Sequence, residues 1–287
     1  GIITEIISQS TDFFKHLKQL GKFLAKQLNP NSSSPLEEAR NVLINSLERI
    51  TNNQKDSRMI TVRPAEQRGQ ADHGWLKSAH SFSFGSYYDP THSGFSVLRV
   101  INEDHVAPGK GFPSHPHRNM EIISLVLAGE LEHKDSMGNG SVLRPGEMQL
   151  ISAGSGISHS EFNPSVSLPT HFYQIWLEPG SKNTVPRYEQ RAFQHSLPLT
   201  LVASRDGSED SLTVNQDAKV YLGSLGAEQS ITLPLYENRS GWLQVLSGEL
   251  LLENLRLELG DGASIAAESN PELKTVKPSQ FLVFDLP

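Results

Sequence analysis

Two short segments of the chain carry metal-ligating side chains at a spacing of two residues. In the first, His115 and His117 flank Pro116, and a proline favours an extended backbone in the residue before it. In the second, a single serine separates His159 from Glu161. Side chains two residues apart lie on the same face of an extended segment, so each pair presents two ligands to one side.

These four side chains could meet on one ion across the interior of a barrel. Three neutral imidazoles and a carboxylate leave one or two coordination positions open, which suits Fe(II), Mn(II), Ni(II) or Cu(II) holding a substrate and O₂. The sequence has no cysteine, which excludes thiolate-bound zinc and iron–sulfur sites. The alternative is that two unrelated pairs share this spacing by chance, because the pattern His-x-His is common.

The remaining histidines lack a partner at such a spacing. The chain has 11 histidines and none follows His195, so any metal chemistry belongs to the part of the chain before it. Glu121, four residues after His117, has three interpretations: a substitute ligand, an acceptor for the N–H of a ligand histidine, or a salt-bridged carboxylate on a strand. The pattern favours the salt-bridged carboxylate. We interpret the unpartnered histidines as surface or packed side chains: His73, His80, His92, His105, His133, His171 and His195.

From Met59 onward, short apolar or alternating runs are separated by turns rich in glycine. Such runs are typical of β-strands, and glycine supplies the positive φ that tight turns need. Many short strands at regular spacing predict a mainly β fold of the sandwich or barrel type. The clearest runs are Ser96–Val100, Glu121–Leu127, Met148–Ile151, Thr170–Leu177, Leu199–Val202, Leu243–Leu246, Glu249–Glu253 and Phe281–Phe284.

A weak internal repeat divides this β-rich part. The stretches Leu125–Leu131 and Leu243–Leu250 each combine an apolar strand, a Gly-Glu turn and a return strand, and a second glycine turn follows both. This pattern predicts two related β-barrels. The polar stretch that opens at Pro179–Asn183 favours a boundary between them, and we predict domains at residues 59–185 and 186–287.

Residues 1–58 have a different character. Apolar residues recur there at three- and four-residue steps, which predicts an amphipathic helix that ends at the Asn-Pro-Asn turn of residues 29–31. Ser34 and Pro35 have the pattern of an N-cap and first helical position, which opens a second helix to about Arg49. We predict an α-helical hairpin and linker, with a packed or partner-binding role favoured over contact with nucleic acid or an anionic membrane.

Composition narrows the class of protein. The 287 residues carry a formal net charge of −7, and 37% of them are hydrophobic. Residues 1–58 hold eight basic and six acidic side chains, so the negative charge belongs to the β-rich part, which argues against nucleic-acid binding there. The apolar runs are far shorter than the roughly 20 residues of a membrane helix, and the N-terminus lacks a signal-peptide pattern. We expect a soluble, cytoplasmic protein without a membrane segment.

Longer stretches around the candidate ligands resemble a known family. Four of them, residues 80–90, 111–117, 129–138 and 153–161, are similar to the bacterial pirin family, whose members include quercetinases. The resemblance extends over residues 59–287, and it implies a bicupin of two β-barrel (jelly-roll) domains that follows the helical hairpin. Two spacings resemble the cupin motifs: the first motif in Gly109-x₅-His115-x-His117-x₃-Glu121, and the end of the second in Gly156-x₂-His159-x₃-Asn163.

The resemblance implies a ligand set and a metal. His115, His117, His159 and Glu161 would bind Fe(II) in the N-terminal cupin, with Mn, Ni, Cu or Zn as the other metals this set could hold. The C-terminal cupin would be metal-free. Seven residues rather than the usual six separate Glu121 from Gly129, a departure that suits pirins, in which the carboxylate ligand lies beside the last histidine. This argues against Glu121 as a ligand.

The resemblance also implies an activity, that of a quercetin 2,3-dioxygenase, which opens the heterocyclic ring of flavonols such as quercetin with O₂. Glu161 would accept the proton of the flavonol 3-hydroxyl group. The alternative is an iron-dependent regulatory protein that binds a transcription factor or a metabolic enzyme, with a pocket closed to flavonols and the hairpin as a protein contact. A metal-storing or inert relative is a third interpretation. Ordinary imidazole pKa values predict metal release below about pH 6.

Overall fold

The computed structural model describes residues 60–193, 197–236, 238–266 and 270–287. The predicted helical hairpin and linker at residues 1–58 lie outside these ranges, as does His195. Within them the chain is almost entirely β-structure, with two short 3-10 turns and no helix long and apolar enough to cross a membrane. The prediction of a mainly β fold is confirmed for these residues.

Twenty strands follow one another along the described part of the chain. The first twelve are β1 (Ile60–Arg63), β2 (Gly69–Asp72), β3 (Leu76–His80), β4 (Leu98–Val106), β5 (Gly111–His117), β6 (Glu121–Ala128), β7 (Leu131–Asp135), β8 (Gly140–Leu143), β9 (Glu147–Ser152), β10 (Ile157–Phe162), β11 (Thr170–Leu177) and β12 (Arg187–Ala192). The other eight are β13 (Leu199–Ser204), β14 (Leu212–Thr213), β15 (Lys219–Leu225), β16 (Ser230–Thr232), β17 (Ser240–Leu252), β18 (Leu255–Glu258), β19 (Gly262–Ala266) and β20 (Glu272–Leu286).

Strands β2 to β12 build a first barrel from two sheets. One sheet has seven strands in the order β12-β9-β6-β11-β4-β3-β2, and the other has four in the order β5-β10-β7-β8. The four-stranded sheet carries all four predicted ligands on β5 and β10. The core between the two sheets contains the buried side chains of Leu76, Val106, Val126, Leu131, Leu143 and Phe172.

The central strands of the seven-stranded sheet face two different cores. In β6, Ile123 and Leu125 belong to a core shared with the second barrel, whereas Val126 packs inside the first. Both faces are buried, so the strand is a nearly continuous apolar run rather than an alternating one. Ser124 breaks this run, and its buried hydroxyl donates a hydrogen bond to Glu161 inside the barrel.

The second barrel contains β1 and β13 to β20. Its nine-stranded sheet follows the order β1-β19-β17-β20-β15-β13-β14, and β16 and β18 pair with β20 and β17. The buried residues of its own core are apolar and include Leu225, Leu243, Val245, Leu250, Leu257, Phe281 and Val283.

The two barrels exchange edge strands. Strand β1 precedes the first barrel in the chain but pairs with β19, where Ile60 lies opposite Ile265. Strand β12 lies just after the boundary predicted at residue 185 but pairs with β9, where Arg187 lies opposite Ser152. The boundary between the sheets therefore does not coincide with one position in the sequence.

The predicted Gly-Glu turns of the internal repeat have different outcomes. At Gly129 the chain turns as predicted, between β6 and β7. At Gly248 the prediction is wrong, because β17 continues through it as a single strand of 13 residues with register shifts against β20. Gly248 has φ +85°, and a Cβ there would overlap Ser279 and Pro278 of β20. The glycine thus permits a bulge in a long strand rather than a reversal of the chain.

Candidate metal centre

Three of the predicted ligands converge on one sheet. Strands β5 and β10 pair so that His159 lies directly opposite His115, and their ring centroids are 4.5 Å apart. The His117 ring lies 4.7 Å from that of His115 and 4.8 Å from that of His159. One ring nitrogen from each residue lies within 4.8 Å of the others. We expected the two pairs to meet across the interior of a barrel, and the structure places them on neighbouring strands of one sheet.

Local sequence explains how β5 can approach β10 so closely. Strand β5 lies at the edge of its sheet, where Pro116 costs no ladder hydrogen bond that a central strand would need. A Cβ at Gly111 would overlap the main-chain oxygen of Glu161 and would lie 2.5 Å from the Cα atom of Phe162. Only a glycine therefore permits this strand spacing at the start of β5.

The tautomer of His115 is fixed by its own strand. Its Nδ1 atom lies 2.8 Å from the carbonyl oxygen of Pro113, which can only accept a hydrogen bond. Nδ1 therefore carries the proton, and Nε2 keeps a free lone pair. This is the usual way in which proteins orient a histidine for metal binding.

His159 is buried without hydrogen-bond partners. Its side chain is 1% exposed, and neither ring nitrogen has a partner among the described residues. Burial lowers the pKa of His159 to about 3 and that of His117 to about 4, with further lowering from the neighbouring imidazoles. Both rings are thus neutral at pH 7, and a buried imidazole with two unpaired nitrogens is a group whose lone pair a metal ion would satisfy.

Glu161 is held by three hydrogen bonds on the inner side of β10. Its Oε1 accepts from Gln149 Nε2 at 2.7 Å and from Ser124 Oγ at 3.2 Å, and its Oε2 accepts from Gln174 Nε2 at 2.8 Å. Burial raises its pKa to about 7, although these hydrogen bonds oppose the rise. The pairing of β10 with β5 has a register shift between His159 and Glu161. The Glu161 carboxylate lies close to the ring nitrogens of His159 and His133, whereas His115 and His117 group with His159 alone.

His133 is the residue at this centre that sequence analysis missed. Its ring is fully buried, stacks on Tyr188 at 4.5 Å, and lies 5.5 Å from the His159 ring. Its Nε2 atom is 3.1 Å from Asp135 Oδ2. His133 and Asp135 are separated by one residue on β7, opposite Glu161 and His159 of β10. The same spacing of two that identified the ligand pairs is present here as well, so the interpretation of His133 as a histidine without such a partner is wrong.

Glu121 lies elsewhere. Its Oε2 accepts hydrogen bonds from Ser152 Oγ at 2.6 Å and from the backbone N–H of Asn215 at 3.1 Å. Within the described residues Glu121 forms no ion pair, contrary to our expectation, and neither of its partners is a predicted ligand. Burial raises the pKa of this carboxyl group.

Other histidines have separate roles in the described structure. His92 Nδ1 lies 2.7 Å from Asp89 Oδ2. His105 and His171 stack at 4.0 Å on β4 and β11, and Glu103 Oε1 lies 3.0 Å from His171 Nε2. Glu103 is also bonded to Arg68 at 2.7 Å, so this second group is a charge-balanced cluster. His73 and His80, which we expected to be surface or packed residues, line the cavity beside the metal centre.

A cavity of about 390 Å³ opens beside the imidazoles. His115, His117 and Glu161 contribute to its wall, together with the aromatic side chains of Phe84, Phe112 and Trp176. The Trp176 ring meets His117 edge-on at 5.0 Å and Phe84 edge-on at 5.4 Å. The aromatic side chains give the cavity an apolar wall suited to a flat ring system.

The chain is similar to known protein families and to individual known proteins. The pirin family matches residues 61–177, and the family described as quercetinase C-terminal cupin domain matches residues 201–286. A protein from Escherichia coli O157:H7 named quercetin 2,3-dioxygenase is 44% identical over 229 residues, which are 80% of this chain and 99% of that protein. A pirin-like protein from Caulobacter vibrioides is 38% identical over 231 residues, with 79% and 99% coverage.

Solved structures agree with the sequence relatives. The crystal structure of YhhW from Escherichia coli has a TM-score of 0.79 at 44% identity and covers 80% of this chain and 98% of its own. The same bacterial pirin in complex with nickel(II) has a TM-score of 0.78 at 44% identity, with 80% and 99% coverage. The chain therefore belongs to the pirin family, and its β-rich part consists of two cupin domains.

Proposed function

We propose that this pirin is a metal-dependent dioxygenase that opens the heterocyclic ring of flavonols such as quercetin with O₂. The observation that carries the proposal is the convergence of three imidazoles, from His115, His117 and His159, beside an aromatic-walled cavity of about 390 Å³. The quercetin 2,3-dioxygenase name of the Escherichia coli relative supports the choice of reaction.

The metal would be held by His115, His117, His159 and Glu161. The unpaired ring nitrogens of His159 and the fixed tautomer of His115 fit a divalent transition metal. We propose Fe(II), with Mn, Ni, Cu or Zn as other occupants, and the nickel complex of YhhW supports this range of metals. When bound, the ion supplies Lewis acidity towards the oxygen of the flavonol 3-hydroxyl group.

Glu161 would accept the proton of that hydroxyl group. A base works best when its pKa is close to the operating pH, and burial raises the pKa of Glu161 to about 7. Gln149, Gln174 and Ser124 hold the carboxylate in one orientation. Loss of the proton raises the electron density of the heterocyclic ring, to which O₂ adds across C2 and C4, with ring opening and release of CO.

The experiment is anaerobic reconstitution of the full chain with Fe(II), followed by addition of quercetin and O₂. We expect O₂ uptake that matches the loss of flavonol absorbance. Lack of uptake at full metal occupancy would overturn the proposal. A His159→Gln variant in the same assay separates turnover at this centre from flavonol oxidation by free iron.

Under the regulatory alternative, the pocket would be closed to flavonols. The open cavity with aromatic walls favours catalysis over that alternative. A protein contact through the hairpin concerns residues 1–58, and it stays a prediction together with the cytoplasmic location.

A further inference from the structure

A row of polar side chains crosses the inner face of the seven-stranded sheet. Gln149 on β9 lies opposite Ser124 on β6, which lies opposite Gln174 on β11. Gln174 lies opposite Asn102 on β4, which lies opposite His80 on β3. Five neighbouring strands thus place a polar residue at the same level, in the interior where apolar residues are the rule.

The half of this row on β9, β6 and β11 has a clear role, because its side chains bind Glu161. Gln149, Ser124 and Gln174 donate all three of the hydrogen bonds that fix its carboxylate. The other half, on β4 and β3, also lines the cavity but makes no hydrogen bond to Glu161 within the described residues. Gln174 and Asn102 lie opposite each other on neighbouring strands, so the second half continues the cavity wall from Gln174 towards β3.

A second buried carboxylate lies in that other half. Asp104 follows Asn102 by two residues on β4, so it is on the same face, and it lies opposite Ser78 on β3. Its side chain is 4% exposed and lines the cavity. Among the described residues, its side chain has one hydrogen-bond partner, the Ser78 hydroxyl group, which donates to Oδ1.

This environment is incomplete for a carboxylate. A buried carboxylate is normally paired with a cation or held by several donors, as Glu161 is. No lysine or arginine in the described ranges forms an ion pair with Asp104, and burial raises its pKa to about 7. The neighbouring His80 is engaged with Asn102, whose Oδ1 lies 2.8 Å from His80 Nδ1. Asp104 therefore has hydrogen-bonding capacity on the cavity side that the protein does not use.

We propose that Asp104 and Ser78 form a second polar subsite that binds a phenolic hydroxyl group of the flavonol away from the reacting ring. The inference rests on the proposed function, and it narrows the substrate class to flavonols that carry hydroxyl groups beyond the 3-hydroxyl group. Phe84, Phe112 and Trp176 contact the flat rings, Glu161 meets the 3-hydroxyl group, and Asp104 selects for a hydroxyl group on another ring. A site built to bond a hydroxyl group rejects the analogue that lacks it, because its own polar group is then left unpaired.

The test compares quercetin with galangin, which lacks the hydroxyl groups of the pendant ring, and with 3-hydroxyflavone, which keeps only the reacting hydroxyl group. We expect kcat/KM of the iron-loaded protein to be about 10- to 100-fold higher for quercetin than for 3-hydroxyflavone, the range of one hydrogen bond to a charged group. Galangin assigns the ring: a value near that of 3-hydroxyflavone places the contact on the pendant ring, and a value near that of quercetin places it on the fused ring.

Asp104→Asn should reduce this preference about tenfold or more, through a lower kcat/KM for quercetin and an unchanged value for 3-hydroxyflavone. Ser78→Ala, which leaves the carboxylate in place, should shift the ratio in the same direction by less. Asp206→Asn, at an exposed acidic residue that does not line the cavity, is the matched control and should leave the ratio unchanged. An equal loss for both flavonols in Asp104→Asn, or an unchanged ratio, would overturn the subsite.

A binding measurement separates this inference from the proposed reaction. Quenching of tryptophan fluorescence by quercetin and by 3-hydroxyflavone is titrated with nickel(II)-loaded protein and requires no turnover. If the iron-loaded protein does not turn over any flavonol but Asp104→Asn weakens the binding of quercetin alone, the proposed function fails and the subsite stands. If the variant binds quercetin as tightly as the native chain, the subsite fails whatever the activity.

Discussion

His115 and His159 face each other across the antiparallel pairing of β5 and β10, with ring centroids 4.5 Å apart. The main-chain ladder between two strands thus sets the distance between two ligands, and His117 follows on the same face of β5. The metal centre depends on the register of one pair of strands more than on any loop.

Gly111→Ala should damage this centre from a distance. The new Cβ would overlap the main chain of Glu161 and Phe162, so β5 must move away from β10. We expect a loss of about 1–3 kcal/mol in the free energy of unfolding and weaker metal binding. Gly140→Ala on β8 is the control, because the nearest atom to its Cβ, Lys134 Cγ, is 3.8 Å away. Denaturant unfolding and metal titration of both variants check this, and equal behaviour would contradict it.

His159→Gln should abolish metal retention. Loss of an outer hydrogen-bond partner of a ligand already costs about 10- to 100-fold in affinity, and removal of a central ligand should cost more. His105→Gln is a matched control, because that histidine belongs to the Arg68-balanced cluster outside the centre. Elemental analysis after gel filtration should find metal in the control and none in His159→Gln. Equal metal content in the two variants would refute the assignment.

Metal retention should persist to lower pH than ordinary histidines allow. The sequence alone predicts release below about pH 6, but burial lowers the pKa of His117 to about 4 and that of His159 to about 3. At these two imidazoles protons compete with the metal when the pH falls towards the lowered values, so we expect the three-histidine centre to retain metal at about pH 5 and to lose it at about pH 3 to 4. Dialysis over a pH series followed by elemental analysis measures this. Half-loss at pH 6 or above would show that the imidazoles titrate as exposed ones.

Glu161→Gln should separate metal binding from proton transfer. The amide cannot accept the substrate proton, and its NH₂ group would face one of the donors Gln149 and Gln174. We expect weaker metal binding and, at saturating Fe(II), a kcat about 10²- to 10⁴-fold lower. Single-turnover kinetics at measured metal occupancy test both parts. Recovery of full kcat on metal saturation would exclude Glu161 as the base.

The stability of the metal-free protein should carry the signature of Asp104. Its pKa is raised from 3.8 to about 7 by burial, so the folded state binds more protons than the unfolded state between these values. The contribution of Asp104 to the free energy of unfolding is therefore fully present below about pH 4 and is lost as the pH rises towards 7. Relative to the native chain, Asp104→Asn should gain a few kcal/mol in unfolding free energy between about pH 4 and 8. Parallel stability curves for the two proteins would contradict this.

Local patterns in the sequence predict much of this fold. Six of the eight apolar runs named above lie within a strand, and the other two, Ser96–Val100 and Glu249–Glu253, extend one or two residues beyond β4 and β17. The two pairs of ligands two residues apart do share strand faces. These features depend on periodicity along a few residues, which is local information. The turn expected at Gly248 fails because a glycine with positive φ serves a bulge as well as a turn, and only the pairing with β20 decides between them.

Features that depend on strand register were not predicted. The position of His133 beside His159, and that of Asp104 opposite Ser78, both follow from which strands are neighbours. The two residues of each pair are 26 positions apart in the sequence, and a shift of one residue would turn each side chain to the opposite face. The hydrogen bonds of Glu121 to Ser152 and Asn215 depend on distant residues in the same way.

The exchange of edge strands also sets an order of assembly on the ribosome. The chain is made from its N-terminus, so β12 can join β9 and complete the ligand-bearing barrel before the second barrel exists. Strand β1 must wait for β19, which begins about 200 residues later in the chain. Until then β1 is an unpaired edge, which other nascent chains can use as a template. The earliest strand of the barrels is thus among the last to be protected, and the interval of its exposure grows as translation slows.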